Sequence, residues 1–243
     1  MSCKGEHKPV LLITAAGKGR RMGGEGSKLY LSLAGKPVLA HTLEVFLGLK
    51  LFSPVLVVIA PGEEKIFNEQ IRAPFFPGEK QLFLVEGGKE RQHSVFEALK
   101  HLYQKNTPGE TIICIHDGAR PLVDKSLILN VYREALSSGA AIAGIPLQDT
   151  IKEIDSSLMV CSTPPRKNFM AIQTPQCFKF FLLWQAHCQA KEENFLGSDD
   201  ATLVERLGMK VKVVPGSFIN LKLTTPIDLE VARAYLSVRS GKR

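Results

Sequence analysis

The sequence predicts a single α/β domain, a mainly parallel β-sheet with helices on both faces, and three observations carry that prediction. Apolar runs of strand length alternate with helical patterns along most of the chain. Its 243 residues suffice for one such core, with an ordinary 23% of charged residues and neither an internal repeat nor a low-complexity linker. The motifs rich in glycine and basic residues follow predicted strands, and sheets of this kind bind ligands beyond the carboxyl ends of their strands.

In chain order, the β-branched and apolar run from Val10 to Thr14 predicts a first strand near 10–15. Further apolar runs predict strands near 55–60, 82–86, 111–116, 140–146 and 211–215. Helical periodicity places helices near 37–47, 63–70, 91–103, 125–137, 178–191, 199–207 and 226–237, the last opened by Thr225 as cap and Pro226 in its first turn. Between Asp149 and Ile172 the alternation breaks. This segment has β-prone stretches, the turn pair Asp155-Ser156 and Pro164-Pro165, but no helical period, and it reads as a protruding β-arm. Ile151, Ile154, Leu158, Met159 and Val160 would leave the arm apolar and exposed unless a surface covers it. A second copy of the chain is the simplest cover; folding back onto its own domain is the other.

The run Ala15-Ala16-Gly17-Lys18-Gly19-Arg20-Arg21-Met22, with Lys28 after it, follows the first strand directly. Glycines allow a tight turn and close backbone approach, and exposed N–H groups with Arg and Lys face phosphate oxygens, so the segment reads as a triphosphate cradle. It is not a P-loop, because Gly17-Lys18 is followed by Gly19 and Gly35-Lys36 by Pro37 rather than by Ser or Thr. Nor is it a dinucleotide fingerprint, whose third glycine would stand where Met22 does. The remaining alternative is a surface loop with incidental charge.

A net charge of +7 admits nucleic acid, an acidic membrane surface or a small phosphorylated substrate as partner. The cations recur beside glycines, prolines and threonines in predicted loops, with neither a long basic helix nor an aromatic-basic sheet motif, which favours small phosphate ligands over nucleic acid. No apolar run approaches the ~20 residues of a membrane span, and Met1 to Pro9 lacks a signal-peptide core, so no membrane partner and a cytoplasmic location are expected. Cys3, Cys114, Cys161, Cys177 and Cys188 show no metal-type pairing and read as reduced packing residues.

Three later motifs add chemistry. In Gly87-Gly88-Lys89-Glu90-Arg91-Gln92-His93-Ser94 the paired glycines let backbone groups approach a flat base, although a plain strand-to-helix turn has the same composition. In His116-Asp117-Gly118-Ala119-Arg120-Pro121 the carboxylate of Asp117 suits Mg²⁺, a hard cation that usually arrives with substrate phosphates, whereas His116 reads as a hydrogen-bonded structural residue. From Asn220 to Thr224 a strand-like alternation would turn Leu221 and Leu223 to one side and Asn220, Lys222 and Thr224 to the other, either toward a site or simply toward solvent.

Together these blocks resemble the 2-C-methyl-D-erythritol 4-phosphate cytidylyltransferase family. The resemblance runs from about Val10 to Leu236 through Ala15 to Met22, Lys28-Leu29-Tyr30-Leu31, Gly35 to Leu39, His41-Thr42-Leu43, Gly87-Gly88 with Arg91 and Ser94-Val95, His116-Asp117 with Arg120-Pro121, Asp149-Thr150, Thr174-Pro175-Gln176 and Asn220-Leu221-Lys222. It implies a Rossmann-like nucleotidyltransferase fold with a mainly parallel central sheet, residues 1–243 forming one nucleotidyltransferase domain, and a β-arm at about 149–172 used for dimerisation. It also implies a homodimer and a cytidylyl transfer from CTP to 2-C-methyl-D-erythritol 4-phosphate, a small polyol phosphate, in non-mevalonate isoprenoid synthesis.

Carried over by position, the resemblance makes Arg21, Lys28 and Lys222 catalytic, with Lys18 and Arg20 nearby. Ala15, Ala16, Gly17, Gly19, Gly87, Gly88, Ser94 and Asp117 would bind the nucleotide, Asp117 also serving Mg²⁺. Arg120, Thr150, Arg166 and Thr174 would bind the acceptor, partly across the dimer, Arg166 being suited to grip a phosphate by two parallel hydrogen bonds. The chain departs from the family where Ser27-Lys28-Leu29-Tyr30 replaces Pro-Lys-Gln-Tyr, where Gly118 replaces alanine and where Ser198 replaces threonine, and none of these removes a needed charge. Two rivals share the pattern: a ribitol 5-phosphate cytidylyltransferase, and a non-catalytic nucleotide-binding protein on the same fold.

Overall fold

The computed structural model describes residues 7–17, 27–239 and 241, so Gly19 and Arg21, together with Lys18, Arg20 and Cys3, lie outside the described residues. Strand β1 (Val10–Thr14) opens a seven-stranded sheet. A small hairpin, β2 (Ser32–Leu33) and β3 (Lys36–Pro37), leads into helix α1 (Val38–Leu47) and strand β4 (Val55–Ile59). Helices α2 (Glu64–Phe67) and α3 (Ala73–Phe75), joined by a π turn at Asn68–Arg72, precede β5 (Leu82–Glu86). Then come α4 (Arg91–Gln104), β6 (Ile112–Asp117), α5 (Lys125–Ser138) and β7 (Ala140–Pro146). The short strands β8 (Glu153–Ile154) and β9 (Val160–Ser162) form a separate hairpin before β10 (Met170–Lys179). Helices α6 (Phe180–Glu192) and α7 (Asp200–Arg206), strand β11 (Lys212–Pro215) and helix α8 (Pro226–Arg239) complete the chain.

Across the sheet the order is β11-β7-β10-β6-β1-β4-β5, and every neighbouring pair is parallel except those made by β10. Side chains alternate between its faces. Leu11 and Ile13 of β1 enter the core shared with α1 and α5, while Val10 and Leu12 enter the one shared with α4 and α6. Burial on both faces explains why β1, β4 and β6 read as nearly continuous apolar runs.

Local chemistry ends the helices where expected. Asp124 accepts the Leu127 N–H at 2.8 Å to start α5, and Gly139 closes that helix with a left-handed φ of 83° that a side chain would strain. Thr225 and Asp228 form a reciprocal cap on α8: Thr225 Oγ1 accepts the Asp228 N–H at 3.3 Å and Asp228 Oδ2 accepts the Thr225 N–H at 2.7 Å. Among the described residues no helix is long and apolar enough to cross a membrane.

Strand β10 corrects the sequence reading, which ended the arm at Ile172, began a helix at 178 and assigned no element to the residues between; the helix begins at Phe180. Pro175 and the polar Gln173, Thr174 and Gln176 hid it, because a central strand rarely carries proline. The ladder with β7 shifts register between Ile172 and Gln176, where that proline stands. The arm is correspondingly shorter, a hairpin over 153–162 whose turn is held by Asp155 Oδ1, acceptor to the N–H groups of Ser157 at 2.8 Å and Met159 at 3.0 Å. Its apolar side chains are exposed in the single chain, Leu158 by 76%. Residues 220–224 also differ: they join no strand ladder, and Asn220 stands in a bend. Of the cysteines, Cys114 and Cys177 are buried opposite each other on β6 and β10, whereas Cys161 is exposed on β9 and so is no packing residue.

Phe178 is fully buried on β10, so Phe178→Ala should lower unfolding free energy by about 3–5 kcal/mol in chemical denaturation. Ile154→Ala in the arm, measured alongside on the monomer, should change it by less than about 1 kcal/mol.

Candidate active site

Three strand ends meet because each parallel strand hands one more hydrogen bond to its neighbour. Ala15 N–H donates to Val58 O at 2.7 Å, Gly87 N–H to Ile59 O at 2.8 Å and Gly118 N–H to Thr14 O at 3.0 Å. The residues after β1, β5 and β6 therefore share one edge. Ala15 is buried, Ala16 half-buried and Gly17 exposed at the rim. A Cβ on Gly87 would stand 2.7 Å from both Ala16 Cβ and Ser94 Oγ, so glycine is what lets the two turns touch. A Cβ on Gly118, the departure from alanine, would lie 3.1 Å from Thr14 O and 3.0 Å from Leu39 Cδ1. Here glycine relaxes a tight contact.

Asp117, the last residue of β6, stands at the centre. Its Oδ2 lies 2.8 Å from Lys222 Nζ and 3.7 Å from Arg120 Nε, and its Oδ1 lies 3.3 Å from Arg91 Nε. Thr14 Oγ1 donates to the same Oδ1 at 3.2 Å. Burial alone would raise the carboxyl pKa, but Arg91 first, then Lys222 and Arg120, outweigh it and hold the group well below the usual carboxylate range. Asp117 is thus a fixed negative charge among cations.

A closed network orients these groups. Asp117 N–H donates to Thr174 Oγ1 at 3.1 Å, and Thr174 Oγ1 lies 3.1 Å from His116 Nδ1. His116 Nε2 is 3.2 Å from the Arg120 carbonyl, an acceptor only, so Nε2 carries the proton and Nδ1 accepts from the threonine. Arg120 Nη1 donates to Asn220 O at 2.7 Å, and Asn220 Nδ2 donates to Thr174 O at 2.8 Å. Leu223 N–H donates to Ala119 O at 2.9 Å, which pins the 220–224 segment and delivers Lys222 to Asp117.

The structure thus brings Gly87, Gly88, Ser94, Asp117, Arg120, Thr174 and Lys222 to neighbouring strand ends. Some of them also hold the framework of the site. Ser94 is buried, and its hydroxyl accepts the Gly88 N–H at 3.2 Å and donates to Glu90 O at 3.0 Å, shaping the glycine turn. The Thr174 hydroxyl is committed to Asp117 and His116, and Asn220 is buried rather than facing the cleft beside Lys222. Lys28 lies half-buried in a 3₁₀ turn, Lys28–Tyr30, started by Ser27. Thr150 and Arg166 are exposed at the root of the arm, where Arg166 Nη1 donates to the Gln148 carbonyl, and no described contact joins either to Asp117.

Sequence reasoning assigned no role to Thr14, Gln173 or Asp200. Gln173 ties the 216–220 loop to β10, its Nε2 donating to Ser217 O at 2.9 Å. Asp200 is 1% exposed, and its Oδ2 lies 2.7 Å from Arg91 Nη1. In the sequence it is merely the second acid of a helix start, after Asp199, whose Oδ1 accepts the Thr202 N–H at 2.9 Å.

The family model for 2-C-methyl-D-erythritol 4-phosphate cytidylyltransferase matches residues 10–238. Proteins of that name from Bacillus mycoides and Caldanaerobacter subterraneus are similar to the chain: the first is 42% identical over 95% of this chain and 98% of its own, the second 43% identical over 93% and 97%. The crystal structure of 4-diphosphocytidyl-2C-methyl-D-erythritol synthase from Anaerococcus prevotii superposes with a TM-score of 0.81 at 31% identity, covering 95% of this chain and 99% of that one. The 2-C-methyl-D-erythritol 4-phosphate cytidylyltransferase of Thermus thermophilus gives 0.74 at 33% identity, with 94% and 98% covered.

Burial, partly offset by the Arg120 carbonyl and Asp117, lowers the His116 pKa from 6.5 to about 3. The unfolded chain takes up this proton first, so the stability that neutral His116 contributes is complete above pH 6.5 and is lost as pH falls toward 3. Chemical denaturation between pH 6.5 and 4 should show the wild type losing about 1.4 kcal/mol per pH unit more than His116→Asn. Parallel curves for the two proteins would remove His116 from this role.

Proposed function

The chain belongs to the 2-C-methyl-D-erythritol 4-phosphate cytidylyltransferase family, and from that premise we propose that it transfers the cytidylyl group of CTP to 2-C-methyl-D-erythritol 4-phosphate. The products are 4-diphosphocytidyl-2-C-methyl-D-erythritol and pyrophosphate, in non-mevalonate isoprenoid synthesis. The observation that carries this reading is Asp117, ionised at a strand end with Arg91, Arg120 and Lys222 around it.

A phosphate oxygen of the acceptor attacks the α-phosphorus of CTP in line; the bond from that phosphorus to the bridging oxygen breaks, and pyrophosphate leaves with the electron pair. The attacking oxygen is already anionic at neutral pH, so no protein nucleophile or base is required. What the protein must do is bring two polyanions together and stabilise charge on the α- and bridging oxygens. Lys222 is suited to this, being half-exposed and tethered to Asp117 at 2.8 Å, within a short swing of an arriving phosphate. Lys28 and Arg21 would hold the phosphates, and Gly87 and Gly88 would face the base.

Mg²⁺ fits this donor set only as a companion of the nucleotide. Among the described residues no three His, Cys, Asp or Glu side chains converge, whereas Asp117 offers one ionised hard oxygen donor. Asp117 would hold the ion, phosphates and water completing its shell, and the ion would offset charge on the phosphate oxygens. A homodimer belongs to this reading and is supported by the exposed apolar arm, with Thr150 and Arg166 completing the acceptor site of the partner subunit; a cytoplasmic location belongs to the same reading.

Pyrophosphate release from CTP, followed with each acceptor in parallel, should be rapid with 2-C-methyl-D-erythritol 4-phosphate and poor with ribitol 5-phosphate. A preference for ribitol 5-phosphate would overturn the acceptor while leaving the fold intact. For the arm, Lys222→Ala should lower kcat by about 10²–10³. Arg166→Ala should impair acceptor use with CTP binding near normal. Mixing these two variants under subunit exchange should regain activity, because heterodimers pair one intact arm with one intact core. No recovery despite demonstrated exchange would confine the arm to assembly.

A further inference from the structure

Behind the cleft, three helices contribute a polar chain that runs from the half-buried Arg91 to the buried Asp200 and His187. Arg91 begins α4, Asp200 begins α7 and His187 lies on α6. The Arg91 guanidinium spans two carboxylates, with Nε 3.3 Å from Asp117 Oδ1 and Nη1 2.7 Å from Asp200 Oδ2. The other Asp200 oxygen lies 3.1 Å from His187 Nε2, and Asp200 and His187 are each 1% exposed. The two helix starts are also fixed to each other. Gln92 Nε2 donates to Phe195 O at 2.9 Å, and Gly197 N–H donates to Gln92 Oε1 at 2.8 Å.

A guanidinium facing a lone carboxylate closes on it as a fork, using both oxygens. Arg91 does not do so here, because Asp200 holds its Nη1. Only Nε reaches Asp117, and only at Oδ1, so Oδ2 stays turned to Lys222. Stability alone does not account for Asp200, since a buried ion pair commonly contributes no more than apolar packing of the same volume.

We propose that Asp200 is a positioning residue that holds Arg91 between two carboxylates and so keeps Asp117 Oδ2 open to Lys222 and to the incoming metal-bearing nucleotide. The inference rests on the cytidylyltransferase reading above, and it concerns a side chain that touches no substrate itself.

The test uses the full chain, with pyrophosphate release for kinetics and isothermal titration calorimetry of CTP with Mg²⁺ for binding. Asp200→Asn, which keeps the side chain's shape, should lower kcat and weaken CTP binding each by about tenfold or more, with the acceptor KM within twofold of wild type. In an Arg91→Gln background the same substitution should change either readout by less than about twofold, since nothing is left to position. A folded Asp200→Asn protein with normal kcat and CTP affinity would overturn the proposal, and so would an equal fall in both backgrounds. If Asp200→Asn does not fold, Arg91→Gln/Asp200→Asn compared with Arg91→Gln decides by calorimetry: equal affinity upholds it, further loss sinks it. Wild type that binds CTP but transfers to neither acceptor would defeat the functional reading instead, leaving the binding comparison to judge Asp200.

Discussion

Everything at this site depends on one buried negative charge. A carboxylate withdrawn from water is tolerable only when opposite charges and donors replace its hydration, and Asp117 receives Arg91, Arg120 and Lys222 together with the Thr14 hydroxyl. Each of those groups comes from a different part of the chain. Satisfying Asp117 therefore fixes β1, α4, the turn after β6 and the segment before α8 relative to one another, and the cluster is a structural keystone as much as a chemical one.

The keystone is backed by polar residues in a place where sheets are usually apolar. Gln173, Thr174 and Gln176 sit buried in the middle of β10, and the ladder breaks register around them. Their hydrogen bonds reach Ser217, His116 with Asp117, and Asp199, so the strand links the 216–220 loop, the centre of the site and the start of α7. The neutral His116 at the core of this network shows why a histidine next to a buried carboxylate need not be a base: it sits under Phe46, ring centroids 4.8 Å apart, with both nitrogens engaged.

Much of this was legible in the sequence, for reasons that also explain what was not. The apolar strands β1, β4 and β6 announce themselves because burial on both faces demands continuous apolar runs, and Asp117 stands out because it follows one of them. Strand β10 was invisible because its central residues answer to the site rather than to the core. The alternation from Asn220 to Thr224 suggested a strand, yet what holds that segment is a set of bonds to Asp117, Ala119, Arg120 and Thr174, partners that no local pattern reveals. Asp200 was the hardest to see: it lies 109 residues from Arg91 and looks like any acid at a helix start.

The antiparallel pairing of β7 with β10 has a consequence for how this architecture varies. Pro146 and Met170 are register partners, so the chain leaves the sheet and re-enters it one strand spacing apart, with the whole arm enclosed between. Geometrically the arm is an insertion in a hairpin turn. Its length, sequence and even existence are separable from the sheet's continuity, so natural drift or deliberate grafting has freedom there that it lacks at the keystone. Whatever the arm contributes is a modular trait, carried on one detachable excursion, while the sheet and the buried cluster beneath it are inherited whole.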